Sequence, residues 1–389
     1  MKKNLAALTA YKNKFTNKFF GYVHIPATTK KKGNVLFSYL SSPFTLLPHE
    51  KKTDPHSNYW ECQEMVRLFN VRGYDVDCIA EHNTSFLPRK KYVAYIDAEG
   101  KLDYYSKFLN HDCKKVYHVL GMYHEALNKN EMCRLQYLTK RRNVHFKPSR
   151  SLTKRSIECV DYLEGFGNQT VHDTYKHLNK PIFPIPISVT QLYDFPTNKD
   201  YESRKKNFLF FSGGGAILKG LDLVVEAFAK LPQLNLFIIG PAVYEKDFAQ
   251  EYEEELSLPN IKYYPRPKIS SEGIILVQNI PFNEIVNSCV ALVYPSSSEG
   301  TSGAVIQALH AGIIPIITPE TGLDPNVGGI TLKEASVESV MEAVLEVAKK
   351  PNEELSELTK QSWNFVRKHH TKETFSREYG RFIDEILHL

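Results

Sequence analysis

Short apolar runs alternate with segments of helical periodicity through both halves of the chain. Runs of this length that are rich in β-branched and aromatic residues are typical of strands buried on both faces. Their alternation with helices predicts parallel sheets made of strand–helix–strand units. The predicted strands are 34–40, 74–80, 92–97, 115–120 and 182–187 in the first half and 207–212, 234–240, 261–264, 290–294 and 313–318 in the second.

Apolar side chains recur every three or four residues in segments between and beyond these strands. The spacing predicts helices over 58–71, 222–230 and 373–389. At the N-terminus, Tyr11, Phe15 and Phe19 continue a similar stripe among lysines. Such a basic amphipathic stretch either packs on its own domain or lies on an anionic membrane surface.

The segment 189–206 is polar, contains Pro196 and lacks periodicity, which is typical of an interdomain linker. We therefore expect an α/β protein with two Rossmann-like, doubly wound domains that face each other across a cleft. The first covers 1–188 and the second 207–371. The last helix, in 372–389, is expected to cover an apolar surface and can return to the first domain.

Composition narrows the class of protein. Of the 389 residues, 42% are hydrophobic and 24% are charged, and no apolar run approaches the length of a membrane-spanning helix. The apolar patch near the N-terminus is too short for a secretory signal, so we expect a cytoplasmic protein. The six cysteines are far apart without a C-x-x-C pair, which indicates buried thiols rather than a metal site or disulfides.

The net charge of +5 is unevenly distributed. Residues 1–188 hold 30 Lys or Arg against 17 Asp or Glu, whereas residues 189–389 hold 19 against 27. A basic half attracts the phosphates of a lipid headgroup, a nucleic acid or an anionic substrate. The alternative is that the difference in charge between the halves has no functional role. The densest cluster of cations consists of Lys140, Arg141, Arg142, Lys147, Arg150, Lys154 and Arg155. Such a cluster binds membrane headgroups or a polyprenyl diphosphate, or it is simply a solvated face.

A polar loop between a buried strand and a helix is the most informative local feature. Strand 290–294 is followed by PSSSEGTSG, and residues 304–311 then begin a helix. Unpaired backbone N–H groups at a helix start favour an anion, while a carboxylate accepts hydrogen bonds from hydroxyls. A sugar joined to a phosphate meets both demands, so the predicted ligand-binding residues here are Glu299, Gly300, Thr301, Ser302 and Gly303.

A second glycine-rich loop follows strand 207–212. Gly213, Gly214 and Gly215 allow close approach of backbone N–H groups to a phosphate, and Lys219 adds a positive charge. The loop is not a Walker A motif, because its lysine precedes the glycine. It is also not a nicotinamide-dinucleotide motif, because the next strand ends in glycine and proline rather than an acidic residue.

From about residue 207 to residue 318 the chain resembles the donor-binding domain of retaining GT-B glycosyltransferases of family four. The resemblance rests on the glycine loop with Lys219-Gly220, on strand 236–241 and, most specifically, on PSSSEGTSGAVIQALHAGIIPIIT. In that family two glutamates separated by seven residues contact the donor sugar hydroxyls and the nucleotide ribose. Glu299 occupies the first position, and the resemblance implies that the second position, Gln307, also binds the donor.

Two departures from the family pattern affect the donor site. Gln307 replaces the second glutamate, so one end of its side chain donates where a carboxylate would accept. Gly214 occupies the place of an arginine that the family usually has five residues before the lysine. Neutralisation of the diphosphate then rests on Lys219, the backbone amides and a basic residue from elsewhere.

The first half resembles the family only loosely. His124 follows a strand where such enzymes have a histidine that faces the reacting sugar, and His118 is the reserve candidate; the alternative is an ordinary polar group at a strand end. The loop 41–58 follows the first strand, where an acceptor would enter; the alternative is a disordered connection. Asp75 and Asp77 mimic a metal-binding D-x-D motif but open a strand instead of closing one, so we interpret them as structural.

The sequence therefore predicts a GT-B glycosyltransferase that transfers a sugar from a nucleotide sugar to a glycan, lipid-linked or other hydroxyl acceptor. The resemblance implies retention of anomeric configuration without a metal or further cofactor, in polysaccharide or glycoconjugate synthesis. The catalytic candidates are Glu299, Lys219 and His124. The basic half is one candidate for peripheral binding at the inner face of the membrane. The alternatives are a non-catalytic sugar-binding protein and a nucleic-acid glucosyltransferase, the latter disfavoured because no aromatic stacking platform is interleaved with the cations.

Overall fold

Parallel strands form in both halves of the chain, where the apolar runs predict them. The computed structural model describes residues 2–46, 56–80, 83–98, 100–150 and 156–389, with side chains from residue 11 onward. The first half contributes β1 (Tyr22–Ile25), β2 (Gly33–Tyr39), β3 (Tyr74–Ala80), β4 (Ala94–Asp97), β5 (Lys114–Val119), β6 (Tyr162–Gly165) and β7 (Ile182–Pro184). The second half contributes β8 (Asn207–Phe211), β9 (Asn235–Ile239), β10 (Ile261–Tyr264), β11 (Lys268–Ile269), β12 (Ile275–Val277), β13 (Ile280–Pro281), β14 (Ala291–Tyr294), β15 (Ile314–Ile317) and β16 (Ile330–Thr331).

Helices connect the strands and cover both faces of the sheets. Several begin at a side chain that caps the first turn, as Ser336 and Thr371 do by accepting from the backbone N–H groups of Ser339 and Thr374. The helices are α1 (Lys2–Phe20), α2 (Asn58–Val71), α3 (Leu102–Tyr105), α4 (His124–Arg142), α5 (Gln169–Asp173), α6 (Tyr201–Arg204), α7 (Leu221–Ala229), α8 (Lys246–Glu251), α9 (Glu253–Leu256), α10 (Phe282–Asn287), α11 (Gly303–His310), α12 (Val337–Lys349), α13 (Asn352–His369) and α14 (Lys372–Leu387).

The strands assemble into two large sheets, one for each half. The first has the order β1-β3-β2-β4-β5-β6-β7, in which only β1 runs antiparallel to its neighbour. The second is parallel throughout, with the order β10-β9-β8-β14-β15-β16. A small antiparallel sheet of β11, β12 and β13 lies between β10 and α10 in the chain. This is the two-domain, doubly wound architecture that the sequence predicts.

Every strand predicted from the sequence is present, with ends that differ by up to three residues. The sequence missed β1, β6, β16 and the small sheet. Polarity explains two of these omissions. In β6, Glu164 is buried and faces His118 of β5 across the sheet, with Glu164 Oε1 2.9 Å from His118 Nδ1. In β1, His24 lies next to Asp77 of β3.

Each sheet has one point where its strand order reverses. In the first sheet β2 lies between β3 and β4, and in the second β8 lies between β9 and β14. The carboxyl ends of β8 and β14 are therefore adjacent, and the loops that follow them meet in one crevice. Ligands of open α/β sheets bind in this crevice.

The last helix packs on the first domain. Arg72, which follows α2, contacts Asp384 of α14, with 2.6 Å between Nε and Oδ1. The ring of Phe375 lies 5.8 Å from that of Trp60 on α2. The chain thus returns to the first domain after completing the second.

Polar side chains of α4 join the two domains. Asn130 donates to Ser297 O at 2.9 Å, and Arg134 donates to Pro295 O at 2.5 Å. The sequence predicted that the cations at the end of α4 face either a membrane or solvent. Two of them instead form salt bridges with carboxylates of the second domain. The pairs are Arg141 with Asp222 and Glu226, and Arg142 with Glu251 and Glu255.

Other members of that cluster have different surroundings. Lys140 and Lys147 are exposed, whereas Lys154 and Arg155 lie outside the described residues.

Within the described ranges, no helix combines the length and apolar character needed to span a bilayer. The cysteines are free thiols, and four are buried as predicted, but Cys133 is exposed and Cys159 is half-buried.

Candidate functional site

Lys219 and Glu299 form a salt bridge where β8 and β14 end side by side. Lys219 Nζ lies 2.5 Å from Glu299 Oε1 and also donates to Ser298 O at 3.1 Å. The glycine loop after β8 carries Lys219, and the polar loop after β14 carries Glu299. The structure therefore brings together the two charged residues that the sequence selected from different segments.

The ion pair is largely removed from water. Lys219 is only 3% exposed, and burial lowers the pKa of its ammonium, an effect that the Glu299 carboxylate opposes. Tyr294, the last residue of β14, donates its hydroxyl to Glu299 Oε1 at 2.7 Å. Burial raises the pKa of Tyr294 well above its usual value, and the charge of Glu299 raises it further, so the phenol remains a donor. The sequence assigned Tyr294 only to a strand.

The backbone amides of the glycine loop already hold an anionic group. The carboxylate of Glu245 accepts from the N–H groups of Gly215 and Ala216. Gly213 lies in open space, because a Cβ built on it would have no neighbouring atom within 4 Å. The amides of the loop thus pair with an anionic side chain of the protein itself, and phosphate binding there stays a prediction. The sequence did not indicate Glu245, because this residue lies beyond β9.

A glycine after Glu299 allows the two domains to touch at the site. A Cβ on Gly300 would lie 2.4 Å from the backbone oxygen of Leu120, at the end of β5. Any larger residue would collide there with backbone rather than with a movable side chain. The turn between β5 and α4 therefore closes one side of the crevice beside Glu299.

The rest of the polar loop is held by internal hydrogen bonds. Thr301 Oγ1 donates to Gly322 O at 3.2 Å, and Ser302 N donates to Thr321 O at 3.1 Å. Gly303 is the first residue of α11. Ser298 differs, because its buried hydroxyl has no hydrogen-bond partner among the described residues.

Gln307 lies on α11 and contacts the linker. Its side chain is 6% exposed, and its Nε2 donates to the backbone oxygen of Gln191 at 2.7 Å. Gln191 belongs to the linker between the domains. The amide that the sequence placed on a donor ribose is thus engaged with the protein backbone.

The two candidate histidines have different environments. His118 is 1% exposed and is paired with Glu164, between the rings of Tyr39 and Phe166. His124 is the first residue of α4, and its ring lies 4.2 Å from that of Tyr123. The turn that contacts Gly300 at Leu120 lies between the two histidines, so neither is singled out by its position along the chain.

Asp75 and Asp77 are both used by structural partners. Asp75 accepts from Ala27 N and Lys31, and Asp77 accepts from Tyr92 at 2.7 Å. No group of three or more potential metal ligands occurs among the described residues. Part of the acceptor loop proposed for 41–58, namely residues 47–55, lies outside the described residues.

A known protein family matches the part of the chain that contains the Lys219–Glu299 pair. Residues 196–365 match the family described as "Glycosyl transferases group 1", and this range contains Lys219, Glu245 and Glu299. No curated protein matches the chain significantly in sequence. The family match is therefore limited to the linker and the second domain.

Solved structures resemble the chain in fold at low sequence identity. Sucrose-phosphate synthase from Thermosynechococcus elongatus has a TM-score of 0.61 and 12% identity, and the match covers 92% of this chain and 100% of that one. WaaG, a glycosyltransferase involved in lipopolysaccharide biosynthesis, has a TM-score of 0.51 and 15% identity over 91% and 99% of the two chains.

A third structure is larger than this chain. It is a TarM variant from S. aureus in complex with fondaparinux, alpha-GlcNAc-glycerol and UDP, with a TM-score of 0.51 and 13% identity over 74% of this chain. The match spans 54% of the TarM chain. The chain thus has the GT-B fold, and its residues 196–365 match the glycosyl transferases group 1.

Proposed function

We propose that this protein is a glycosyltransferase that moves a sugar from a nucleotide-diphosphate sugar to a hydroxyl group of a glycan or lipid-linked acceptor. The observation that carries the proposal is the buried pair Lys219–Glu299 at the strand-order reversal of the second sheet. The group 1 family match includes both residues. The TarM structure is described with UDP and a glycosylated glycerol, and WaaG with lipopolysaccharide synthesis, which supports this donor and acceptor class.

Charge development explains the role of Lys219. Negative charge grows on the diphosphate as its bond to the sugar breaks. A preorganised ammonium in a site with little water stabilises that charge more strongly than the same group in bulk water does. Burial lowers the pKa of Lys219, and a bound diphosphate would favour its charged form. We therefore assign Lys219 to leaving-group stabilisation without the need for a metal.

Glu299 is suited to orient the sugar. Its contacts with Lys219 and Tyr294 both use Oε1, and among the described contacts Oε2 receives none. Oε2 can therefore accept a hydrogen bond from a hydroxyl of the donor sugar while Oε1 keeps the carboxylate in position.

We assign His124 to the sugar-facing side of the first domain, and we propose retention of the anomeric configuration. Nuclear magnetic resonance of the first-formed product tests the configuration directly.

The central test measures nucleotide release with a panel of UDP, GDP, ADP and CMP sugars and a lipid and glycan extract. Lys219→Met and Glu299→Gln keep the side-chain size and should each lower turnover about a hundredfold, as loss of one electrostatic stabiliser does. Lys230→Ala, at an exposed position after α7, serves as the control and should keep normal turnover. Near-normal turnover in both site variants would overturn the proposal.

Two further measurements distinguish the other functions from this one. A non-catalytic sugar-binding protein would show a donor-induced rise in melting temperature without nucleotide release. A nucleic-acid glucosyltransferase would bind duplex DNA with a steep dependence on salt concentration. A glycosyltransferase of the proposed class requires release that depends on both the donor and the acceptor.

We also propose that α1 binds an anionic membrane surface, because its aromatic side faces outward. Tyr11, Phe15 and Phe19 are 58%, 57% and 62% exposed, although they lie on one face of the helix. Over residues 11–20, the part of α1 whose side chains the structure describes, the inward face is polar, since Asn13 is 8% exposed and donates to Phe44 O at 2.9 Å. A folded domain normally buries the apolar face of such a helix, so the reversed orientation points to a partner.

The charges on α1 identify the kind of partner. The exposed lysines Lys12, Lys14 and Lys18 accompany the aromatic side chains. Cations beside exposed aromatic rings are typical of helices that lie in the interface of an anionic bilayer. Binding there would place the protein peripherally on a membrane that carries a lipid-linked acceptor.

Vesicle sedimentation tests this part of the proposal. Wild-type protein should bind phosphatidylglycerol vesicles, bind phosphatidylcholine vesicles weakly, and lose binding as salt increases. The double variant Phe15→Ser/Phe19→Ser should lose about tenfold in affinity, whereas Tyr263→Ser, at an aromatic residue 46% exposed in the second domain, should not. Absence of vesicle binding by the wild type would contradict membrane docking and favour a protein partner for α1.

A further inference from the structure

The donor site within the second domain has few positive charges for a diphosphate. Lys219 is the cation of the site, and Glu299 compensates its charge at 2.5 Å. Glu245 adds a second carboxylate on the amides of the glycine loop. Gly214 has no side chain at the position where the related pattern has arginine. Two carboxylates against one ammonium would repel a diphosphate, so another cation is required.

The connection between α4 and β6 carries basic residues back toward this site. The end of α4 is fixed on the second domain by the salt bridge of Arg141 with Asp222. The chain then turns at Asn143, which has a φ of 56°, and Thr139 Oγ1 donates to Val144 O at 2.8 Å. These contacts start the connection at the domain boundary rather than on the outer surface of the first domain.

A buried carboxylate in the middle of α4 anchors the following part of the connection. Glu131 is 2% exposed and accepts from Ser149 N at 2.6 Å, from Ser149 Oγ at 2.7 Å and from Arg150 N at 3.3 Å. A carboxylate with several backbone and hydroxyl donors holds their positions firmly. The backbone of residues 149–150 is therefore fixed against α4.

The anchored segment lies on the glycine loop. A Cβ built on Gly215 would lie 3.5 Å from Ser149 Oγ, which is an ordinary van der Waals contact. Arg150 follows Ser149 directly, so it extends from the segment that contacts the glycine loop. Burial is the main cause of the lowered pKa of Lys219, and the positive charge of Arg150 lowers that pKa further. The same charge opposes the rise in the pKa of Tyr294 that burial causes.

We propose that Arg150 of the first domain provides the second cation for the donor diphosphate, in place of a side chain at Gly214. This inference rests on the proposed function, because it names a ligand contact in the same donor site. Arg150 is exposed, so its guanidinium can reorient toward a bound phosphate without breaking the backbone contacts to Glu131. The diphosphate site would then be complete only while both domains are together.

Binding of inorganic pyrophosphate, measured by calorimetry, tests the role of Arg150 without knowledge of the sugar or base. Arg150→Ala should weaken binding about tenfold or more, because a charge-assisted contact is lost. Arg150→Lys should restore part of the affinity, since it keeps the charge without the bidentate geometry. Lys147→Ala, an exposed cation on the same connection, is the matched control and should change affinity less than about twofold.

A relocated arginine provides the second measurement. A Cβ on Gly214 would lie 3.3 Å from Glu245 Oε1, the end of a side chain that can move, and Gly214 has no positive φ. Gly214→Arg in the Arg150→Ala background should therefore recover much of the lost affinity. In turnover assays the donor KM should rise in Arg150→Ala and fall again in the double variant.

The outcomes separate this inference from the proposed function. If Lys219→Met loses pyrophosphate affinity and Arg150→Ala does not, the donor site stands and the role of Arg150 is overturned. If the wild type does not bind pyrophosphate, or Lys219→Met binds as well as the wild type, both the donor site and the role of Arg150 fail. Weaker binding in both Lys219→Met and Arg150→Ala, with Lys147→Ala unchanged, supports the two-domain site.

Discussion

The side-chain amide of Gln307 pairs with both backbone polar groups of Gln191. Its Nε2 donates to Gln191 O at 2.7 Å, and its Oε1 accepts from Gln191 N at 3.2 Å. The side chain of Gln191 in turn accepts from Ile275 N at 2.9 Å. One residue of α11 thus fixes the linker, which also holds the small sheet. An amide donates and accepts at once, whereas the ionised carboxylate of glutamate can only accept, so the departure from glutamate has a structural reason.

Gln307→Glu should destabilise the protein instead of improving donor binding. The change leaves Gln191 O without its donor and places a carboxylate beside it. The expected loss is about 1–3 kcal/mol in the free energy of unfolding, measured by urea denaturation. Gln361→Glu, at an exposed position of α13, is the control and should change stability by less than about 0.5 kcal/mol.

The donor KM decides between the two roles of this residue. A role in the linker leaves KM for the nucleotide sugar unchanged or higher in Gln307→Glu. A clear decrease in KM, with stability unaffected, would show that residue 307 faces the ribose, as the family resemblance implies.

Local sequence patterns predicted most strands of the two large sheets and the two loops of the candidate site, because the chemistry of each lies within one short segment. An apolar run followed by glycines or by PSSSEGTSG indicates a strand end and a candidate anion-binding loop without knowledge of the rest of the chain. The adjacency of β8 and β14 then follows from the doubly wound topology. Lys219 and Glu299 were found in this way.

The partners of single side chains could not be predicted, because they are distant in sequence. The amide of Gln307 binds a residue 116 positions earlier, and Arg141 binds a carboxylate 81 positions later. Charge and periodicity show that a group needs a partner but not which one it meets. For the same reason the aromatic stripe of α1 was visible in the sequence, whereas its outward orientation was not.

The pair Arg141–Asp222 should be a major contribution to the docking of the domains. Asp222 is 0% exposed, and burial raises its pKa while the charges of Arg134 and Arg141 oppose the rise. Removal of one partner of a buried pair leaves an uncompensated charge. Arg141→Ala should therefore lower the free energy of unfolding by about 3–5 kcal/mol, measured by urea denaturation.

Two further variants test the cause of that loss. Asp222→Asn in the Arg141→Ala background removes the uncompensated carboxylate and should recover part of the stability. Arg381→Ala disrupts the surface pair with Glu378, in which the arginine side chain is 69% exposed, and should cost less than about 1 kcal/mol. Equal losses for Arg141→Ala and Arg381→Ala would show that the interdomain pair is no stronger than a surface contact.

Glu245 should compete with the donor diphosphate. Its carboxylate occupies the N–H groups of Gly215 and Ala216, which are otherwise suited to a phosphate oxygen. Glu245→Gln removes the negative charge and keeps an acceptor oxygen for the loop. Pyrophosphate affinity should rise about fivefold, and Glu253→Gln, an exposed control on α9, should leave it unchanged. Weaker binding in Glu245→Gln would indicate that the carboxylate instead maintains the shape of the loop.

Two buried histidines should make the protein sensitive to acid. His310 of α11 donates from Nε2 to His370 O at 2.9 Å, and His370 donates from Nδ1 to Ile187 O at 3.2 Å. Burial lowers the pKa of each from 6.5 to about 4. Between these values the unfolded chain binds protons that the folded chain does not accept, so stability falls as pH decreases from about 6.5 toward 4.

The expected loss between pH 7.5 and pH 5 is about 2 kcal/mol for each histidine. His310→Gln cannot titrate but can still donate to His370 O, so the loss in this variant should be smaller than in the wild type by about that amount. His111→Gln, at an exposed position, should leave the pH dependence unchanged. Urea denaturation at the two pH values measures the difference. The same decrease in the wild type and in His310→Gln would place the acid sensitivity elsewhere, because burial of a neutral imidazole at position 310 would then contribute nothing to it.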